Sequence, residues 1–314
     1  MNALAYYQIT HRTRYRYSEP VAICQNQLRM MPQVISGAAI QSRCYWSKAT
    51  IHPEPNVLLE HIDYFGNRVI SFAIESRHRQ LVVLVQSAVS VEQRPLPDEA
   101  VEVSWQKLAN QVRCGKDSGW FEAQEYLYDS PRVRCSAKFR QYARLAFTEG
   151  RPIVDAAIAL TKQIHRDFQY DTKATTVNTS TEEAFERRVG VCQDFAHVQI
   201  ACLRSIGLPA KYVSGYIHTI APEGRPRLVG ADESHAWISL YCGGSVGWID
   251  LDPTNACVAN TSHIPICMGR DYSEVSPMRG VVIGGGTTQL DVSVDVQTLE
   301  ETEVDKPIIE PSIS

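Results

Sequence analysis

The spacing of apolar residues changes once along this chain, and that change restricts the fold more than any other feature. From Tyr7 to Tyr17 the residues alternate, with Ile9 and Tyr15 on one side of an extended chain and Arg14 on the other. A period of two residues is typical of a half-buried strand. Similar strand patterns follow at 43–51, at 57–74 around a Gly-Asn turn signal, and at 81–91. The pattern predicts a β-rich, sandwich-like domain, which we place at residues 1–130.

After Ser130-Pro131 the apolar residues recur every three to four positions, as on a buried helix face. Ser180, with Glu183 three residues later, forms a capping-box pattern at a helix start. Predicted helices cover 133–147, 153–168, 181–189 and 192–206, and predicted strands cover 210–220, 235–242, 247–251, 280–284 and 289–297. We therefore expect an α+β core over residues 131–298, followed by an acidic, exposed tail at 299–314.

Composition removes several classes of partner. The 314 residues carry a net charge of -4, with a pI near 6.2, so no basic surface for nucleic acid or an anionic membrane is expected. The first 20 residues contain too many polar positions for the apolar segment of a signal peptide. The nine cysteines are then expected to be thiols in a reducing cytoplasm.

Cys192 is placed at the first turn of a predicted helix. Unpaired N–H groups and the positive end of the helix dipole stabilise a thiolate there. A thiolate is the nucleophile that acyl transfer requires, although cysteines at helix starts also occur as inert core residues.

His235 and Asp252 lie on two strand-like runs that flank a glycine-rich turn. A hairpin centred on Gly243-Gly244 places the two side chains directly opposite each other on one face, and a bulged tip shifts this register by one or two positions. An aspartate beside a histidine orients the imidazole and stabilises its protonated form. A surface ion pair is the alternative reading of this pair.

Taken in order, these residues resemble the transglutaminase-like branch of the papain-type cysteine enzymes. Gly190–His197 is similar to the nucleophile helix of that core, while His235–Trp237 and Asp252–Asn255 are similar to its histidine and aspartate motifs. The first half resembles the β-rich N-terminal domain of bacterial members. The resemblance implies a papain/transglutaminase-like α+β core in which Cys192 attacks, His235 transfers the proton and Asp252 orients the histidine.

The sequence contains two further candidate sites. Tyr170 is a candidate second oxyanion donor beside the Cys192 N–H. Cys257, His263 and Cys267 are close in sequence, but without a C-x-x-C pair they do not predict a zinc site, and we expect neither a metal nor a cofactor.

The expected function is acyl transfer on an amide of a peptide or protein, with water as the acceptor. Protein-glutamine transglutamination is the first alternative, and a binding or assembly module without turnover is the second. The expected partner is a peptide or protein substrate, with no nucleic acid and no membrane.

Overall fold

The computed structural model describes residues 3–32, 34–96, 103–116, 118–176, 178–219 and 233–306. Its first part is a sheet organised around one very long strand, β1, in which buried and more exposed residues alternate as the sequence predicts. The strands of this part are β1 (Ala3–Met31), β2 (Ile35–Ser36), β3 (Ile40–His52), β4 (Val57–Ile62), β5 (Arg68–Ile74) and β6 (His78–Gln93). They are hydrogen-bonded in the order β2-β3-β6-β1-β5-β4.

The second part is an α+β core. Its helices are α1 (Trp105–Arg113), α2 (Trp120–Ala123), α3 (Ala137–Ala143), α4 (Ile153–Asp167), α5 (Thr181–Arg187), α6 (Cys192–Ser205) and α7 (Tyr272–Val275). Its strands are β7 (Gln169–Tyr170), β8 (Val189–Gly190), β9 (Ala210–Ile217), β10 (Glu233–Tyr241), β11 (Trp248–Asp252), β12 (Cys257–Val258) and β13 (His263–Gly269). Five of these strands form an antiparallel sheet in the order β12-β11-β10-β9-β13.

Helix α6 is the centre of this core. Every residue from Asp194 to Ser205 is buried, since α6 packs on β9 and β10 and is covered by α3, α4 and α5. Helix α5 begins as predicted, with the Ser180 hydroxyl accepting a hydrogen bond from the Glu183 N–H at 3.1 Å.

The last two strands return to the first sheet. Strands β14 (Met278–Gly284) and β15 (Thr288–Leu299) both pair with β1, which raises the sheet to eight strands. The sequence assigned these strands to the core, and their distant partner is not visible in local periodicity. A single continuous cluster of buried apolar side chains runs from Tyr7 and Ile9 of β1 through the helices to β10 and β15.

The α+β class and the β-rich first half are confirmed, with the first half built as one hydrogen-bonded sheet. Helix α1 and strand β13 were not predicted, and α3 is shorter than the predicted helix over 133–147. The beginning of the predicted exposed tail differs as well, because Val304 is buried and its carbonyl accepts a hydrogen bond from Trp46 Nε1 at 2.9 Å. Residues 307–314 of that tail lie outside the described residues. In the described part of the chain, no helix has the length and apolarity needed to cross a membrane.

Candidate active site

Cys192 is the first residue of α6, and the local sequence fixes this helix start. The Asp194 carboxylate accepts hydrogen bonds from the Val191 N–H at 2.9 Å and from the Thr175 hydroxyl at 2.7 Å. A side chain at Gly190 would meet that carboxylate, since an added Cβ would lie 2.4 Å from Asp194 Oδ2. Asp194 therefore caps the helix, and the half-buried Cys192 thiol lies in the first turn, where helix N–H groups lack a partner within the helix.

His235 and Asp252 meet across the β10–β11 hairpin. His235 Nε2 lies 2.8 Å from Asp252 Oδ2, and both side chains are buried. The predicted direct opposition is wrong by two positions, because Ile238 pairs with Leu251 and the turn spans Cys242 to Gly247. A shift of two residues keeps both side chains on the same face of the sheet, so the predicted adjacency survives.

A hydrogen bond also joins His235 to the Cys192 thiol. Because Nε2 contacts Asp252, the other ring nitrogen, Nδ1, is the atom left for the thiol. Burial by itself lowers the pKa of His235, but the bonds to Asp252 and Cys192 outweigh burial and raise the pKa to about 10. Hydrogen bonds to the Cys192 sulfur on one side and to the Asp252 carboxylate on the other therefore favour the protonated form of the imidazole.

Asp252 is the most heavily bonded group of the site. Burial favours its neutral form, yet hydrogen bonds from His235 and His263 hold the pKa of Asp252 well below its usual range. Oδ2 accepts from His235, from His263 Nε2 at 3.0 Å and from Asn255 Nδ2 at 2.6 Å. Oδ1 accepts from the backbone N–H groups of Thr254 and Asn255, at 2.8 and 3.1 Å.

Sequence reasoning missed two members of this network. Asn255 had a usable signal, since an aspartate followed by Pro-Thr-Asn is typical of a turn in which the carboxylate accepts N–H groups two and three residues on. His263 had none, because it arrives on β13 from a separate part of the chain.

The candidate metal ligands do not assemble as a set. Among the described residues, the group whose ligand atoms lie within 4.8 Å of one another is His235, Asp252 and His263. Its atoms are already joined by N–H···O hydrogen bonds, whereas Cys267 Sγ is directed at the backbone carbonyls of Arg29 and Val275.

Cys192 and His235 open into a cleft of about 380 Å³ between the two parts of the molecule. Tyr212, Ser214 and Tyr272 belong to the core side. The other wall comes from the first sheet and consists of His11, Thr13, Tyr15, Met278, Leu290 and Val292. Among the described lining residues there is no carboxylate, lysine or arginine.

Tyr170, the candidate oxyanion donor, is not among these lining residues. It lies on β7, paired with Gly190, and is 44% exposed, with its ring 6.3 Å from that of Phe195. The structure therefore does not bring Tyr170 into the cleft with the other predicted residues.

Comparison with known proteins is consistent with this geometry. Two family models match the chain: the bacterial transglutaminase-like N-terminal region over residues 7–90, and the transglutaminase-like superfamily over residues 140–253. An uncharacterized protein of Mycobacterium tuberculosis is 35% identical over 298 residues, which cover 94% of this chain and 93% of that protein.

Two further comparisons concern proteins whose names refer to an activity. A protein-glutamine gamma-glutamyltransferase of Pseudomonas aeruginosa is 29% identical over 154 residues, which are 48% of this chain but 22% of that enzyme. The crystal structure of a "Putative Cysteine Protease" from Cytophaga hutchinsonii matches with a TM-score of 0.73 at 18% identity, covering 96% of this chain and 93% of that one. The latter likeness shows a shared fold.

Proposed function

Because the chain belongs to the transglutaminase-like superfamily, with the bacterial transglutaminase-like N-terminal region, we propose that it is a cysteine-dependent amide hydrolase acting on peptides or proteins. The observation that carries the proposal is the position of His235, hydrogen-bonded to Cys192 on one side and to Asp252 on the other. This is the arrangement of nucleophile, base and orienting carboxylate that acyl transfer uses.

In the proposed mechanism, Cys192 Sγ attacks the carbonyl carbon of the amide, and the proton lost by the thiol is held by His235. The N–H groups of the first turn of α6 face the developing oxyanion. His235 then gives a proton to the leaving amine as the C–N bond breaks, and the acyl group stays on sulfur. A water molecule, deprotonated by His235, attacks the thioester and releases the carboxylic acid.

Transfer of the acyl group to an amine is the alternative that a comparison favours, since the Pseudomonas relative is a protein-glutamine gamma-glutamyltransferase. We favour water as the acceptor because the described part of the cleft offers no carboxylate to hold the ammonium group of a lysine. The deciding experiment incubates the enzyme with peptides and glutamine-containing proteins, with and without a primary amine, and follows products by mass. Amide cleavage with uptake of water supports hydrolysis, whereas amine incorporation with loss of ammonia contradicts it.

The reactivity of the Cys192 thiol distinguishes the proposed enzyme from a binding module without turnover. All nine cysteines are free, and burial raises the pKa of Cys24, Cys44, Cys135, Cys202, Cys242, Cys257 and Cys267. Cys114 is the exposed cysteine and therefore the main competitor for a reagent.

The test is a limiting amount of thiol alkylator at about pH 6, followed by peptide mapping. We expect Cys192 to react at least about tenfold faster than Cys114, because its sulfur is hydrogen-bonded to His235 at a helix start. The Cys114→Ser variant serves as the matched control and should leave this rate unchanged. If Cys192 reacts no faster than the other eight cysteines, the catalytic proposal is wrong.

We further propose a cytoplasmic location, supported by nine cysteines without a disulfide among them. Fractionation of cells that express the tagged chain, combined with labelling of free thiols, tests it. Recovery of the chain outside the cytoplasm contradicts it.

A further inference from the structure

A second histidine shares the Asp252 oxygen that binds His235. His263 Nε2 lies 3.0 Å from Asp252 Oδ2, and His235 Nε2 lies 2.8 Å from the same atom. His263 is 2% exposed and is not among the described residues that line the cleft. Its hydrogen bond to Asp252 is therefore the contact that links it to His235.

The hydrogen bond to Asp252 shows which nitrogen of His263 carries a proton. A carboxylate only accepts, so His263 Nε2 is the donor of the bond to Asp252 Oδ2. The other nitrogen, Nδ1, lies 3.2 Å from the backbone nitrogen and 3.4 Å from the side-chain oxygen of Asn260. Asn260 therefore holds the opposite side of the ring.

The ring is held in this orientation from another side. Trp237, which is fully buried on β10, packs against the ring of His263 with centroids 5.3 Å apart and planes at 84°. Since Asn260, Trp237 and Asp252 contact different parts of the ring, His263 has a fixed position and a fixed hydrogen-bond direction.

We propose that His263 is a positioning residue, which holds Asp252 Oδ2 in line with His235 Nε2 by donating to the same oxygen. The proposal rests on the proposed function, in which His235 exchanges protons with Cys192. A buried donor with a fixed direction suits this task because it shares Oδ2 with His235 and limits the orientations that the carboxylate can take. Removing that donor leaves Oδ2 with His235 and Asn255 as its partners, so the carboxylate is held from fewer directions.

The kinetic test uses three variants and the substrates of the product assay. His263→Phe keeps a flat ring but loses the donor, and we expect kcat to fall about 10- to 100-fold with little change in KM, because the residue does not touch the cleft. His263→Gln keeps an N–H donor and should recover most of the rate. His78→Phe makes the same change at a buried histidine of the first sheet and should leave kcat unchanged. Wild-type kcat in folded His263→Phe, or an equal loss in His78→Phe, overturns the proposal.

A spectroscopic test needs no activity. In protein labelled with ¹⁵N-histidine, correlation spectra should contain the signal of a ring protonated at Nε2 that is missing in His263→Gln. A His263 ring that carries no proton on Nε2 overturns the proposal.

Alkylation separates this inference from the proposed function. If the wild-type protein turns over no substrate, the proposed function fails, but the rate at which Cys192 is alkylated still reports on His235. We expect this rate to fall about tenfold in His263→Phe and to recover in His263→Gln. An unchanged rate in His263→Phe counts against His263 itself.

Discussion

Two fully buried carboxylates, Asp252 and Asp271, lie in the core, and their similarities are as informative as their differences. Both are 0% exposed. In both, burial favours the neutral form, but hydrogen bonds to the carboxylate outweigh it and lower the pKa. A shifted pKa therefore does not by itself distinguish Asp252 from Asp271 as a candidate site residue.

The partners of the two groups differ. Asp271 caps α7, accepting from the Ser273 N–H and hydroxyl at 2.8 and 2.6 Å, and it also accepts from the Arg132 N–H at 2.7 Å. Its partners are therefore backbone and hydroxyl groups that do not titrate near neutral pH. Asp252 instead binds the imidazole of His235. That ring is also hydrogen-bonded to the half-buried thiol of Cys192, which lines a cleft. A buried carboxylate indicates a reactive site when its network ends at an accessible nucleophile, and otherwise it indicates a structural clamp.

The largest difference between the two carboxylates is expected when a histidine is removed from the surroundings of each. His235→Ala should lower kcat/KM by at least about 10⁴-fold, because His235 is the group that is hydrogen-bonded to the Cys192 thiol. The buried His197, whose Nε2 accepts the Tyr272 N–H at 3.2 Å, belongs to the Asp271 surroundings. His197→Gln should change kcat/KM less than about tenfold in the folded fraction. Steady-state kinetics with circular dichroism decide this, and comparable losses in both variants contradict the distinction.

Replacing each carboxylate by its amide should affect activity at Asp252 and stability at Asp271. Asp252→Asn should keep the fold but lower kcat/KM by about 10²- to 10⁴-fold, since an amide does not stabilise the imidazolium and favours the wrong tautomer. Asp271→Asn should lower the free energy of unfolding by about 2 kcal/mol or more, with much smaller effects on kcat/KM. Denaturant titrations and kinetics on both variants test this. Unchanged kcat/KM in Asp252→Asn removes Asp252 from the mechanism.

The pH dependence of stability should show the smallest effect, with opposite signs for the two histidines. The pKa of His235 rises to about 10 on folding, so its stabilising effect is fully present below about pH 6.5 and is lost as the pH rises towards 10. Burial lowers the pKa of His197, so the stability linked to His197 is present above about pH 6.5 and is lost on acidification.

Unfolding free energies of the wild type and of His235→Gln, compared between about pH 6 and pH 10, test this expectation. Their difference should shrink by about 1 to 2 kcal/mol as the pH rises. A difference that grows with pH contradicts the assignment of a protonated His235.

Features with a local cause could be predicted from the sequence. The alternation in β1 and the capping of α5 and α6 follow from neighbouring residues, and the meeting of His235 with Asp252 follows from a short hairpin. The hairpin register was missed by two because the six-residue turn is not centred on its glycine pair. The pairing of β14 and β15 with β1, and the arrival of His263 at Asp252, join segments that are distant in the chain. No local period records such contacts.

The route of β1 has a consequence for the order in which the molecule can be completed during synthesis. Cys192, His235 and Asp252 have all been synthesised once β11 has been made, but Leu290 and Val292 of the cleft wall belong to β15. The thiol therefore emerges about 100 residues ahead of the strand that encloses it, an interval of about 5 to 20 seconds at typical rates of elongation. A nascent chain therefore carries the Cys192 thiol and the β1 part of the cleft wall before it carries the β15 part, so the cleft is completed last.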